Sequence, residues 1–299
     1  MWIIPALLSA VLLGLYQSFK KFAVNGNAVL PVLFGSIVCS TAVVVPLLAG
    51  SALSPGIMKS MQLYIPPLNL AEHGMILLKS LIVVTSWLFA FHAMKHLPLT
   101  IVTPIQATGP IWTLTGAILI FREQLNLQQW FGVIITLLFF YLLSTAGKRE
   151  GINFRRNKWI MLAVAGVLLS ATSGLYDKFI IRRIDRLAVQ AWFTIYQLAI
   201  MLPVMALFRW SRPRKKRIRF SWRISIPAIG IFLLMSDFAY FYALSFPDSM
   251  ISVISALRRG DAVVSFAIGA LFFRELNLRA KGVYLTGILL GIVLLSLAS

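Results

Sequence analysis

Apolar residues in this chain do not recur with the spacing of an amphipathic helix or strand; they run on in long blocks separated by short polar or Pro- and Gly-containing stretches. A helix needs about 20 mostly apolar residues to cross a hydrocarbon core about 30 Å thick, and backbone at that depth has to hydrogen-bond within its own segment. Each block is therefore read as a membrane-spanning helix. The blocks lie near 2–22, 28–50, 74–95, 99–121, 127–146, 159–182, 187–208, 224–245, 249–273 and 280–298. The separators carry helix breakers: Asn25-Gly26-Asn27, the stretch from Ser51 to Gly74 with Pro55 and Pro66-Pro67, Leu97-Pro98, and Phe246-Pro247-Asp248. Most connections are short, so successive helices are expected to run antiparallel. The first block has no basic residues ahead of it, Lys20 and Lys21 coming after, and no small-residue cleavage site follows. It is expected to be a retained span, not a signal peptide.

Composition agrees with that pattern. Of 299 residues, 59% are hydrophobic and 12% charged, with a mean hydropathy of +0.86, whereas soluble domains carry about 45–50% apolar and about 25% charged residues. A soluble enzyme and a disordered chain are both excluded. The 28 Lys and Arg against 9 Asp and Glu, net +19, collect largely between the apolar blocks. That placement suits loops facing anionic lipid, with no nucleic-acid partner. The single cysteine, Cys39, lies inside an apolar block, leaving no disulfide framework and no Cys-based zinc site.

The chain also repeats itself. Gly14-Leu15-Tyr16 near the end of the first span recurs as Gly174-Leu175-Tyr176 near the end of the sixth, followed by Ser18 and Lys178 at matching places. Phe121-Arg122-Glu123, with Leu125-Asn126-Leu127 and Gly132-Val133 behind it, recurs as Phe273-Arg274-Glu275, Leu276-Asn277-Leu278 and Gly282-Val283; Pro98 matches Pro247. Two five-span halves are expected, residues 1–146 and 159–299, joined by a basic linker over 147–158. Because five is odd, the halves insert with opposite orientation. The loops after odd-numbered spans hold 19 Lys and Arg, and the other side holds six, with Lys59, Lys79, Arg122, Arg182, Arg183 and Arg186 assigned there. The basic side is expected to be cytoplasmic, with both termini outside.

These features resemble the ten-helix drug/metabolite transporter superfamily, specifically proteins with two EamA-type repeats. The resemblance rests on the five-plus-five hydropathy, on Glu123 and Glu275 closing the fourth helix of each half, and on Gly132 and Gly282 opening the fifth. It implies an all-α membrane fold with an inverted repeat, a central cavity lined mainly by helices three, four, eight and nine, and alternating access by rocking of the two halves. It also implies a bacterial inner membrane. The family is usually drawn with both termini cytoplasmic, and in that respect the charge count here departs from it.

Charges inside the blocks are the candidate site, because an ionised side chain at mid-bilayer costs at least about 2.5–3.5 kcal/mol and needs a partner or a purpose. Span nine carries Arg258, Arg259 and Asp261 in one apolar run. Arg258 and Asp261, three apart, can pair on one helix face, while Arg259 points elsewhere. Gly260 between them admits close approach or local unwinding, as in the broken helices of transporters. Asp237 in span eight, close to Tyr240, is a counter-ion for Arg259 or a proton-coupling carboxylate; Asp177, beside Lys178, is a third coupling candidate or a structural group near the interface. In span four, Gln106 and Trp112 are candidate substrate contacts, and Gly109-Pro110 a kink or hinge. His92 and His96 have a spacing that could serve a metal, but without nearby Cys or Glu no metal site is expected. No cofactor or enzyme motif is present. Gly287 and Gly291, and Gly166, Ser170 and Gly174, form small-residue ladders that serve packing within one chain or a homodimer.

The sequence thus reads as a secondary transporter for a small polar metabolite, anionic or zwitterionic, such as an amino acid or sugar phosphate. Arginine suits the anion contact because its planar fork matches carboxylate or phosphate and keeps its proton. A lipophilic-cation or drug exporter and a non-transporting membrane subunit are the rival readings.

Overall fold

The computed structural model describes residues 2–97, 102, 105–145, 158–210, 220–272 and 278–298. Pro98, Arg274, Glu275, Asn277, most of the 147–158 linker and the basic stretch 211–219 lie outside these residues. The described chain is all-helical, without strands: α1 (Ile3–Val24), α2 (Val29–Leu53), α3 (Pro55–Ser60), α4 (Leu70–His96), α5 (Gly109–Phe121), α6 (Leu127–Thr145), α7 (Lys158–Ile181), α8 (Arg186–Trp210), α9 (Ser225–Leu244), α10 (Ile251–Leu257), a 3-10 turn (Arg258–Gly260), α11 (Asp261–Phe272) and α12 (Leu278–Leu297). Six of these helices, α1, α2, α4, α7, α8 and α9, are long and apolar enough to cross a bilayer. The protein is a multi-pass integral membrane protein.

Element boundaries differ from the sequence expectation where local chemistry decides them. Helix α4 starts at Leu70, not near 74, because Asn69 and Glu72 form a capping box: the Glu72 amide donates to the Asn69 side chain at 2.9 Å and the Asn69 amide to the Glu72 carboxylate at 2.8 Å. Pro110 does not kink a continuous helix. It occupies the first turn of α5, which begins at Gly109 after a turn at Thr108, so its missing N–H leaves no helical bond unmade. The ninth block is two helices, α10 and α11, separated by the 3-10 turn at Arg258–Gly260.

Packing does not follow the two halves of the sequence. Helices α1 and α2 pack on α9, α1 also packs on the α10–α11 segment, α4 packs on α7 and α8, and α5 packs on α7, while α6 pairs with α12. Small residues make these seams, as expected where lipid offers no hydrophobic drive for helix association. Ser9 and Ser236 share a hydroxyl contact of 3.1 Å between α1 and α9, the Ser40 hydroxyl donates to the Gly230 carbonyl at 2.9 Å, and the Ser86 hydroxyl donates to the Gly166 carbonyl at 2.8 Å. A Cβ on Gly291 would lie 2.9 Å from the Gly132 carbonyl oxygen, and one on Gly287 would run into the Phe139 ring. The Gly287–Gly291 face is therefore covered by α6, and Gly166 by α4, within one chain.

A Cβ on Gly230 would stand 2.4 Å from the Ser36 carbonyl oxygen, whereas one on Gly282 meets nothing within 4 Å. Gly230→Val is expected to destabilise the detergent-solubilised protein by about 1–3 kcal/mol through overpacking. Gly282→Ala is expected to leave the thermal unfolding midpoint unchanged or raised.

Candidate functional site

Between the two groups of helices lies a cavity of about 1580 Å³, larger than the roughly 300–1,000 Å³ of ordinary small-molecule pockets. Toward the basic loops it is lined by the C-terminal part of α1 (Gln17, Lys20), the N-terminal part of α2 (Pro31), Gln106 ahead of α5, and Met205 and Phe220; its lining further along includes Lys79, Asp177, Phe193, Phe241 and Ile251.

Two ion pairs stand in the deep wall. The Lys79 ammonium, on α4, pairs with the Asp177 carboxylate on α7. It also lies 4.1 Å from the Phe193 ring centroid and 5.1 Å from that of Phe241, so its charge is held by a carboxylate and two aromatic faces. The Tyr240 side chain lies beside Asp177. On its ring face lies the Arg258 guanidinium, 4.2 Å from the centroid, which pairs in turn with Asp237 at 3.6 Å. The chain of contacts Asp237, Arg258, Tyr240, Asp177, Lys79 thus runs across α9, the 3-10 turn, α7 and α4. Arg259 is different. It lines the cavity, makes no ion pair within 4 Å with a described residue, feels the charge of nearby Asp261, and rests 5.3 Å from the Phe140 ring centroid; its buried Nε, like that of Arg258, has no hydrogen-bond partner.

Of the residues singled out in the sequence, Arg258, Arg259, Asp237, Tyr240, Asp177, Gln106, Gly109 and Pro110 all line this cavity. Three do not. Trp112 is 44% exposed on the outer face of α5, its indole N–H donating to the Thr108 hydroxyl at 3.3 Å. The helical phase puts Pro110 and Thr113 on the cavity side and turns Trp112 away. Asp261 is buried at the start of α11, with its backbone oxygen against Gly14 of α1. Its expected pairing with Arg258 is not made: the guanidinium pairs with Asp237 on α9, while Asp261 lies at the seam with α1. Gly260 packs near Ile292 and Ala10, away from the cavity.

Lys79 was missed. Assigned above to the outer loops, it is 2% exposed in the cavity wall. The signal was present in its position inside the third apolar block, where a lone lysine demands a partner. Lining also comes from α1, α2, α7 and α8 beyond the four helices that the resemblance implies. His92 and His96 bond the carbonyls of Leu88 and His92, and His96 stacks on Trp159 at 3.6 Å. No cluster of metal-ligating side chains occurs among the described residues.

Residues 1–145 match the model of the EamA-like transporter family. The match covers just under half of the chain and implies a membrane transporter of the drug/metabolite type; the members of that family are transporters, not enzymes. A solved crystal structure 16% identical in sequence superposes with a TM-score of 0.70, covering 98% of this chain and 95% of the other, so the fold extends over both halves. No curated protein compared with the chain matches it.

Removing one member of a buried pair strands the other charge, at a cost of about 3–5 kcal/mol. Lys79→Met is expected to lower stability in detergent by that order, and Lys79→Met with Asp177→Asn to recover most of it. Chemical or thermal unfolding of the three proteins checks this.

Proposed function

We propose that this protein is a secondary carrier of the EamA-like kind that moves a small anionic or zwitterionic metabolite by alternating access. It is built from ten spanning helices in two inverted five-helix units, residues 1–146 and 159–299, joined by the 147–158 linker. The short helices α5, α6 and α12 and the broken α10–α11 segment supply the fourth, fifth, tenth and ninth spans in this count. The basic loops face the cytoplasm of a bacterial inner membrane, the termini lie outside, and the cavity in this conformation opens inward.

One observation carries the reading of the cargo: the Arg259 guanidinium lies in the cavity wall with no ion-pair partner among the described residues. The cavity lining holds Lys20, Lys79, Arg258 and Arg259 against Asp177 and Asp237. With Lys79 and Arg258 already matched, an incoming carboxylate or phosphate restores balance at Arg259 without displacing a native partner. Gln106 supplies a hydrogen-bonding group nearer the basic loops. Asp237 and Asp177 are each engaged by a cation, which disfavours the lipophilic-cation reading, since such a cargo would have to displace Arg258 or Lys79. A non-transporting subunit has no use for an open cavity of this volume. The partners are a small-molecule substrate and the bilayer, with no nucleic acid and no cofactor.

Purified protein screened by thermal shift against anionic, zwitterionic and cationic metabolites is expected to be stabilised by a member of the first two classes. A ligand at about 100 times its Kd adds about 2.7 kcal/mol to the folded state. In Arg259→Ala that stabilisation is expected to vanish, and stabilisation by cations that survives the substitution would favour the exporter reading.

A further inference from the structure

Classified by the helices they join, most polar contacts fall within two bodies that cut across the sequence repeat, while Tyr240 beside Asp177 and the Lys79 ammonium over the Phe241 ring touch across them in the cavity wall. Ser9 with Ser236, Ser40 with Gly230, and Arg258 with Asp237 all lie within the group α1, α2, α9 and α10–α11. Ser86 with Gly166, and Lys79 with Asp177, lie within the group α4, α5, α7 and α8. Both deep ion pairs are thus internal to one body, and relative motion of the bodies leaves them intact.

Away from the basic loops the pattern reverses. The Glu123 carboxylate, just past the end of α5, accepts from the Ile251 amide at 2.8 Å, the Ser252 amide at 3.1 Å and the Ser252 hydroxyl, all at the start of α10. The Lys178 ammonium on α7 donates to Glu123 at 2.5 Å and to the Ser249 carbonyl at 2.8 Å. Side chains of Lys178 and Glu123 are 2% and 5% exposed. Every bond from Glu123 and Lys178 to Ser249, Ile251 and Ser252 crosses between the two bodies, and Ile251 itself lines the cavity. The groups sit at helix ends, where water can replace each bond when they part; the mid-helix serine contacts inside each body have no such substitute.

We propose that Glu123 and Lys178 form the gate on the side away from the basic loops: they hold the start of α10 while the cavity is open to the basic side, and release it when the other side opens. The gate rests on the alternating-access reading, and its test needs no cargo. On a Cys39→Ser background, Ser255→Cys in the cavity lining is the reporter and Ser9→Cys, fully buried between α1 and α9, the control. A membrane-impermeant maleimide is applied to each side of oriented vesicles. With Glu123 intact, the reporter is expected to label from the basic-loop side. With Glu123→Gln, and more so with Glu123→Ala, labelling from the opposite side is expected to rise several-fold while Ser9→Cys stays unlabelled. Unchanged sidedness would overturn the gate, and so would labelling of the Ser9→Cys control together with the reporter, which would make Glu123 a general brace. A cargo screen that finds no ligand would touch only the substrate reading.

Discussion

Charge brought into hydrocarbon has to be matched from inside the protein, and this constraint organises the structure more than any packing preference. Lys79, Asp177, Asp237, Arg258 and Arg259 all sit within membrane-spanning segments. Four of them are paired, and Tyr240, with one polar tip and one aromatic face, joins the two pairs into a single run. Each ion pair lies within one group of helices, Lys79 with Asp177 between α4 and α7 and Arg258 with Asp237 beside α9. The fifth charge, Arg259, forms no ion pair within the cavity, and the opposite charge acting on it is that of buried Asp261.

Arg258 and Arg259, on the 3-10 turn between α10 and α11, both reach the cavity. Asp261, at the start of α11, lies against α1. Local irregularity of backbone is tolerated at this depth because it lines a cavity and is not exposed to lipid.

Helices α1 and α2 come early in the chain yet pack on α9, and α4 and α5 pack on α7. Close seams such as Ser36–Gly230 in one group and Ser86–Gly166 in the other hold the helices of each together. The contacts at Glu123 and Lys178 are of another kind, carboxylate and ammonium at helix ends, strong when dry and replaceable by water.

Membrane insertion and the helical class were legible in the order of residues, since block length and breaker placement follow from bilayer thickness and backbone hydrogen bonding alone. Most of the charged wall was legible too, because a charge inside an apolar block announces itself. Partner choice was not. Whether Arg258 meets Asp261 or Asp237, whether Trp112 faces cavity or lipid, and that Lys79 meets Asp177 across α4 and α7 depend on helix phase and on which helices pack together. Those are relations between segments far apart in the chain, and only the tertiary structure decides them.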